Sequence, residues 1–381
     1  MQRRAFIRIA GGGAIVAAAP LAGCSRAVPP EAIAAWSGPG GEPDLRRWIL
    51  GHAILAPHSH NLQSWLVDLG TPDQIELRCD STRLLPETDP FSRQILMSQG
   101  TFIELLDLAA RERGHRAEIT LFPDGAFGPE RIDDRPVARI RLQPDPSTPR
   151  DPLFAQILKR RTNRSVYEPA RPVPAAAWQA MAEAAAPHGL RFGHADAALD
   201  RHRAIAKEAW RIELVTPRTI LESFKVLRIG AREVAEHRDG LTLMDPMVVW
   251  LNRLGLFDRT QAPAPDSFAT TGQIEAFDAQ IDSTPAFLWL VSQGNDRFTQ
   301  VNAGRAYARV QLAATAHGVS MHPLSQALQE YPEQAGPYAE IHRLLDAPAP
   351  EQTVQMWARV GFAPPVDPAP RRGVDAHLRR G

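Results

Sequence analysis

Three short stretches of the chain hold side chains that could do chemistry. The first is Ala56-Pro57-His58-Ser59-His60-Asn61-Leu62-Gln63-Ser64-Trp65. The Asn and Gln amides each donate and accept, so a loop of this kind suits the edge of a polar heteroaromatic ring. A helix-ending loop that satisfies its own side chains has the same composition. His58 and His60 have no carboxylate or Cys neighbour in sequence, which argues against a metal. The second stretch is Lys159-Arg160-Arg161-Thr162-Asn163-Arg164. Guanidinium forks beside a hydroxyl match phosphate oxygens, although alone such a run reads first as a solvated basic turn. The third, Pro370-Arg371-Arg372-Gly373, is in isolation a basic tail.

The elements that must position these stretches follow from a repeat. Gly100, Leu108, Ala109, Ala110 and Gly114 recur at one offset as Gly304, Leu312, Ala313, Ala314 and Gly318. Phe102, Leu105, Leu106, Ala109 and Ala110 form a helical stripe, and Tyr307, Val310, Gln311, Ala313 and Ala314 a less apolar one. Each helix should end at its glycine in a left-handed cap and be followed by a strand, and each Ala-Ala pair should admit a neighbouring helix closely. Ala56-Pro57-His58 is echoed by Ala186-Pro187-His188. We read an internal duplication.

The first half, 44–148, should carry helices near 44–56 and 94–113, with strands near 65–69, 75–79, 117–122 and 137–142. Residues 143–152 read as the join. The second half, 149–381, should carry helices near 152–161, 175–186 and 302–317, with strands at 286–291 and 354–360. Residues 196–260 look helical and lack a counterpart in the first half, so an insertion at about 196–270 should cap a pocket.

The chain's ends suggest export. Arg3-Arg4 precede a mildly apolar run from Ile9 to Ala22, a pattern similar to a twin-arginine signal. Leu21-Ala22-Gly23-Cys24 resembles a lipobox, which would place acyl chains on Cys24 after residues 1–25 are processed. Residues 26–43, rich in Pro, Gly and Ala, read as a flexible tether to the membrane. Formal net charge is zero, so no global field favours nucleic acid. Cys24 and Cys79 are the only cysteines, too few for a disulfide framework.

Taken together the three stretches gain meaning. With CDSTRLLPETDPFSRQ, SQGTFIELLDLAA, RRTNRSVY and GRAYARVQLAATAHGV, the chain resembles the Acg family of FMN-binding nitroreductase-like proteins over roughly residues 44–381. The resemblance implies an α+β nitroreductase fold duplicated in one chain. Each half would imitate one subunit of the family's dimer, leaving the protein a monomer with one FMN. It implies that Arg160, Thr162, Arg164, Arg371 and Arg372 hold the phosphate. Pro57, Ser59, Asn61 and Gln63 would meet the flavin ring, and Pro323, Leu324 and Ser325 would form the turn near its N5 atom. His58 and Ser64 depart from the family's Ser and Pro, and Ser325 stands where an acidic residue is common. The implied activity passes electrons from reduced flavin to a small, flat acceptor, a nitroaromatic or quinone, with an unidentified reductant and no obligatory side-chain acid or base. A lipoprotein that stores FMN without turnover, or one that has lost the cofactor, are the rival expectations.

Overall fold

The computed structural model describes residues 27–379; the leader and Cys24 lie outside the described residues. The first half begins with a short helix α1 (Pro30–Ile33) and continues through α2 (Leu45–Ala53), β1 (Trp65–Asp68), β2 (Gln74–Cys79), α3 (Arg93–Glu112), β3 (His115–Leu121) and β4 (Pro136–Pro144). The second half runs α4 (Ala175–Ala185), β5 (Arg191–Ala195), an insertion, β8 (Ala286–Gln293), α10 (Arg297–Ala316), β9 (Ser320–Pro323), α11 (Ala335–Leu344) and β10 (Gln352–Gly361). One sheet has the order β1-β2-β4-β3 and the other β5-β8-β10-β9, with every neighbour antiparallel. Replacing β1, β2, β3 and β4 by β5, β8, β9 and β10 turns the first order into the second. The duplication is therefore architectural, and the fold is α+β.

The repeat helices α3 and α10 cross at their glycines. A Cβ on Gly100 would lie 1.9 Å from the Val301 carbonyl oxygen, and one on Gly304 would lie 1.8 Å from that of Met97. Only hydrogen fits at either position. The Ala-Ala pairs serve other neighbours: Ala109 and Ala110 share a core with Ile49 and Leu50 of α2, and Ala313 and Ala314 share one with Ala177 and Met181 of α4. Gly114 and Gly318 follow their helices with φ of +68° and +66°, the left-handed stop that a Cβ would disfavour.

The insertion sits between β5 and β8, where the first half has only a hairpin turn. It comprises α5 (Asp200–Val215), α6 (Pro217–Lys225), β6 (Leu227–Ile229), α7 (Gly230–His237), β7 (Leu241–Leu243), α8 (Pro246–Arg253) and α9 (Phe268–Asp282), with β6 and β7 parallel. It ends near residue 285 rather than 270, because α9 packs on α5 and belongs with it. Apolar residues from α5, α9, β8, β10 and α11 form a third core.

Three expectations are corrected. The helix near 152–161 is a single 3-10 turn, Pro152–Gln156, capped by Asp151. Lys159 and Arg160 both return their N–H groups to the Gln156 carbonyl, which turns the chain so that Arg160 points inward. Residues 27–43 are no flexible tether. Ala32 and Trp36 are buried, and Pro39 packs where a Gly51 Cβ would stand. Strand β5 and helix α11 add to the elements expected, while β9 is the strand expected after the second repeat helix. Among the described residues no helix is long and apolar enough to cross a membrane. Cys79 is a free thiol pushed up to about 12 by burial.

Candidate functional site

The loop after α2 is strained. His60, Asn61 and Gln63 have φ of +49°, +54° and +54°, and each non-glycine residue held there costs about 1–3 kcal/mol. Helix α3 holds the loop in place: Thr101 Oγ1 donates to the Pro57 carbonyl (2.7 Å), and Ser98 Oγ accepts from the Ser59 N–H (3.1 Å). The two departures from the family pattern meet each other. His58 Nε2 accepts from the Ser64 N–H at 3.1 Å and pairs with Ser64 Oγ at 2.7 Å. Its Nδ1–H then donates to the Ser59 carbonyl at 2.7 Å. Burial lowers the His58 pKa to about 3 against the small gain from that carbonyl, with Arg371 and Arg372 adding to the fall. The ring is neutral and braces the loop.

Arg160 and Arg371 converge on the carbonyls that close α2. Arg160 donates to the Leu55 oxygen (2.9 Å) and to Gln311 Oε1 (3.2 Å). Arg371 donates to the Ala56 oxygen (3.0 Å) and to Asn61 Oδ1. They are 2% and 3% exposed. Burial lowers the Arg160 pKa to about 10, and burial followed by repulsion from Arg160 and Arg161 takes Arg371 well below its usual value. Among the described residues neither forms an ion pair with a carboxylate, and each keeps an unbonded buried Nε–H. By contrast, buried Arg93 has Glu330 at 3.1 Å. Adjacent buried cations without a counter-ion are costly, so the cluster fits an anion.

Two further groups aim at the same place. Tyr307, on α10 one turn before Gln311, is 4% exposed, and its hydroxyl has no partner among the described residues. It acts electrostatically on both Arg160 and Arg164. Arg164 keeps an exposed side chain, yet desolvation by surrounding protein is what lowers its pKa. Burial and then the Arg164 charge lower the pKa of His60 to about 4, and the same charge adds to burial in lowering that of His322. The Arg164 charge is thus felt both in the loop after α2 and on β9.

The other expected residues are placed as follows. Thr162 Oγ1 accepts from Gln311 Nε2 (3.4 Å). Arg372 turns away from Arg160: its N–H donates to Gln63 Oε1 (2.9 Å) and its guanidinium to the Gln63 carbonyl. Leu324 donates its N–H to the Trp357 carbonyl (2.8 Å), and Pro323 has none, so Ser325 holds the turn's only candidate donor. The insertion touches the loop directly. Gly240 N–H donates to the Asn61 carbonyl (3.1 Å), Gln63 Nε2 donates to the Arg238 carbonyl (2.8 Å), and Arg83 pairs with Asp239. These contacts set the insertion against the loop. A cleft of about 770 Å³ between residues 27–31 and α7 reaches Arg238, at the edge of this arrangement rather than over the cations.

Comparison with known proteins adds relatives at a distance. No family model matches the chain. Two Mycobacterium tuberculosis proteins, named "Putative NAD(P)H nitroreductase Rv3131" (strain H37Rv) and "Putative NAD(P)H nitroreductase MT3217" (strain CDC 1551), are each 29% identical over 343 residues, 86% of this chain and 88% of the relative. Among solved structures, the FMN-dependent nitroreductase NfnB from Mycobacterium smegmatis in complex with NADPH aligns over 59% of this chain and 96% of its own, at 20% identity and a TM-score of 0.38. A nitroreductase with bound FMN from Bacteroides fragilis aligns over 59% and 97%, at 13% identity and a TM-score of 0.34. Both TM-scores lie below 0.5, so the architecture rests on this chain's own strand order and repeat.

Proposed function

We propose that the chain is an FMN-dependent oxidoreductase of the nitroreductase fold, akin to the Acg proteins, in which one polypeptide imitates a dimer and acts as a monomer. The observation that carries the reading is the anion-hungry cluster of Arg160, Arg371, Arg164 and the Tyr307 hydroxyl, drawn from three separate stretches of the second half and set against the first half's Leu55 and Ala56 carbonyls. The names of the mycobacterial relatives support it. Arg160 and Arg371 would hold the FMN phosphate, with Arg164 and Tyr307 beside it. The strained loop would lie along the ring edge, with the Asn61 and Gln63 amides, bonded to Gly240, Pro370, Arg238 and the two tail arginines, fixing its shape, and Ser325 would offer its N–H. Bound FMN would supply two-electron chemistry between NAD(P)H and a flat nitroaromatic or quinone acceptor. Neutral His58 and His60 add no charge beside the ring. We place the protein in the cell envelope, exported folded by the twin-arginine route and anchored by lipid at Cys24.

The test is reconstitution of purified protein with FMN, followed by anaerobic NADPH. A yellow complex that bleaches and recovers with a quinone is expected. Protein that takes up no FMN refutes the cofactor. One observation favours storage instead: Asn61 and Gln63 are bonded to the insertion and the C-terminal tail. Bound flavin that neither bleaches nor recovers would establish that reading.

A further inference from the structure

We propose that Trp36, in the stretch before the first half's sheet, is a positioning residue of the phosphate site. The inference rests on the FMN reading above and concerns a segment outside every motif that led to it. Three guanidiniums surround the Trp36 ring: Arg161 at 4.4 Å from its centroid, and Arg160 and Arg371 each at 5.3 Å. Like charges repel when gathered, and burial sharpens the repulsion. A π-face is attractive to each cation without adding a competing anion. An aspartate in the same position would neutralise the cluster and exclude a phosphate; an indole gathers the cations and leaves their charge available.

The segment is fixed to carry out this role. Trp36 is 7% exposed and its indole N–H donates to the Ala369 carbonyl at 2.8 Å. Two residues along that strand of tail, the Arg371 N–H donates to the Ala32 carbonyl at 2.8 Å. Helix α1 packs on α7 of the insertion, and a Gly38 Cβ would meet Leu158, just before Lys159-Arg160-Arg161, at 3.5 Å. The segment therefore joins the 160–164 stretch to the 370–372 tail, which are far apart in sequence and must meet around one dianion.

The test is titration of the full chain with FMN and, separately, with riboflavin, which has the ring but no phosphate. Trp36→Leu keeps a smaller apolar side chain and removes both the π-face and the indole N–H; Trp36→Phe also lacks the N–H but keeps a π-face, so the difference between the two isolates the π-face. Trp36→Leu should weaken FMN binding about 10-fold, leave riboflavin binding within about 2-fold, and be rescued substantially in Trp36→Phe. Unchanged FMN affinity in Trp36→Leu overturns the role while leaving the functional reading intact. Equal losses for FMN and riboflavin also overturn it, since they mark general damage. A wild-type chain that takes up no FMN removes the functional reading and this role with it.

Discussion

Replacing Arg160 by Gln separates a ligand-binding cation from a structural one. The buried guanidinium has its pKa lowered from 12.5 to about 10, chiefly by desolvation. At about 1.36 kcal/mol per unit, its charge costs the ligand-free fold about 3 kcal/mol. A depressed cation pKa means that the folded state disfavours the charged form. The cost is therefore present at every pH below about 10 and fades as pH rises from there towards 12.5. Removing Arg160 relieves it but leaves the Leu55 carbonyl and Gln311 Oε1 short of a donor, at about 1–3 kcal/mol each way of counting. The two effects nearly cancel, so ligand-free stability by urea unfolding should change by no more than about 1.5 kcal/mol. FMN affinity should behave differently. A charge-assisted bond to phosphate is worth about 1.5–3 kcal/mol, which is roughly a 10- to 150-fold loss by flavin fluorescence quenching. Arg93→Gln supplies the contrast. Arg93 is 1% exposed and bonded to Glu330, Gln355 and the Leu328 carbonyl, so its loss should cost about 3–5 kcal/mol of stability. An Arg160→Gln chain that loses more than about 3 kcal/mol and binds FMN as before would refute the reasoning.

Other outcomes follow from single contacts. Tyr307→Phe removes an unbonded buried hydroxyl, so ligand-free melting should hold or rise slightly while the FMN dissociation constant grows about 10-fold; equal affinity would take the hydroxyl out of the site. Gly100→Ala and Gly304→Ala each force a methyl to within 2 Å of a carbonyl oxygen, and each should destabilise the chain by about 3 kcal/mol or more, read by urea midpoint. Burial raises the Glu213 carboxyl to about 7, with Glu222 adding to it against the pull of Gln329 and Gln326. A raised carboxyl pKa means the fold binds the proton more tightly than the unfolded chain. The associated stability is complete below about pH 4.5 and is lost as pH rises to about 7, by about 3 kcal/mol. Glu213→Gln should flatten that part of the stability profile; an unchanged wild-type slope would remove Glu213 from it.

The sequence was legible where spacing or residue type left little choice. The glycine and alanine matches around 100–114 and 304–318 located the duplicated helices, because a close crossing tolerates only hydrogen. The arginine stretch and the late Arg371 could be joined only through resemblance, since nothing local tells a cradle from a solvated turn. Tyr307 was hidden by periodicity: within a helical stripe it reads as core, and its unbonded hydroxyl is visible only in three dimensions. Trp36 carried a signal that composition masked. Surrounding Pro, Gly and Ala read as linker, yet a large aromatic in a solvated tether would have nothing to bury against. The short strand β5 is not legible because five residues cannot establish a period, and sheet neighbours decide it.

Duplication explains why one anion site can differ from its counterpart. Residues 311 and 58, at the arginine cluster, correspond by the repeats to 107 and 188. Around those partners the charges are matched. Glu104 takes Arg305 at 2.8 Å and Arg309 at 2.9 Å, with His188 Nε2 at 3.4 Å. Asp107 takes Arg111 at 3.2 Å, and Asp151 takes Arg309 at 2.8 Å. Burial raises the Glu104 carboxyl, but His188, Arg305 and Arg309 outweigh it and hold the group well below its ordinary range. Three carboxylates thus answer three arginines, and a cleft of about 500 Å³ beside them offers an incoming phosphate no unmatched cation. Around Arg160 and Arg371 no carboxylate among the described residues pairs with either, and the fold bears the cost. In a symmetric dimer one sequence would have to serve both places. A single chain frees each half to change alone, so one place can become a self-neutralised brace while the other keeps its charge for a ligand.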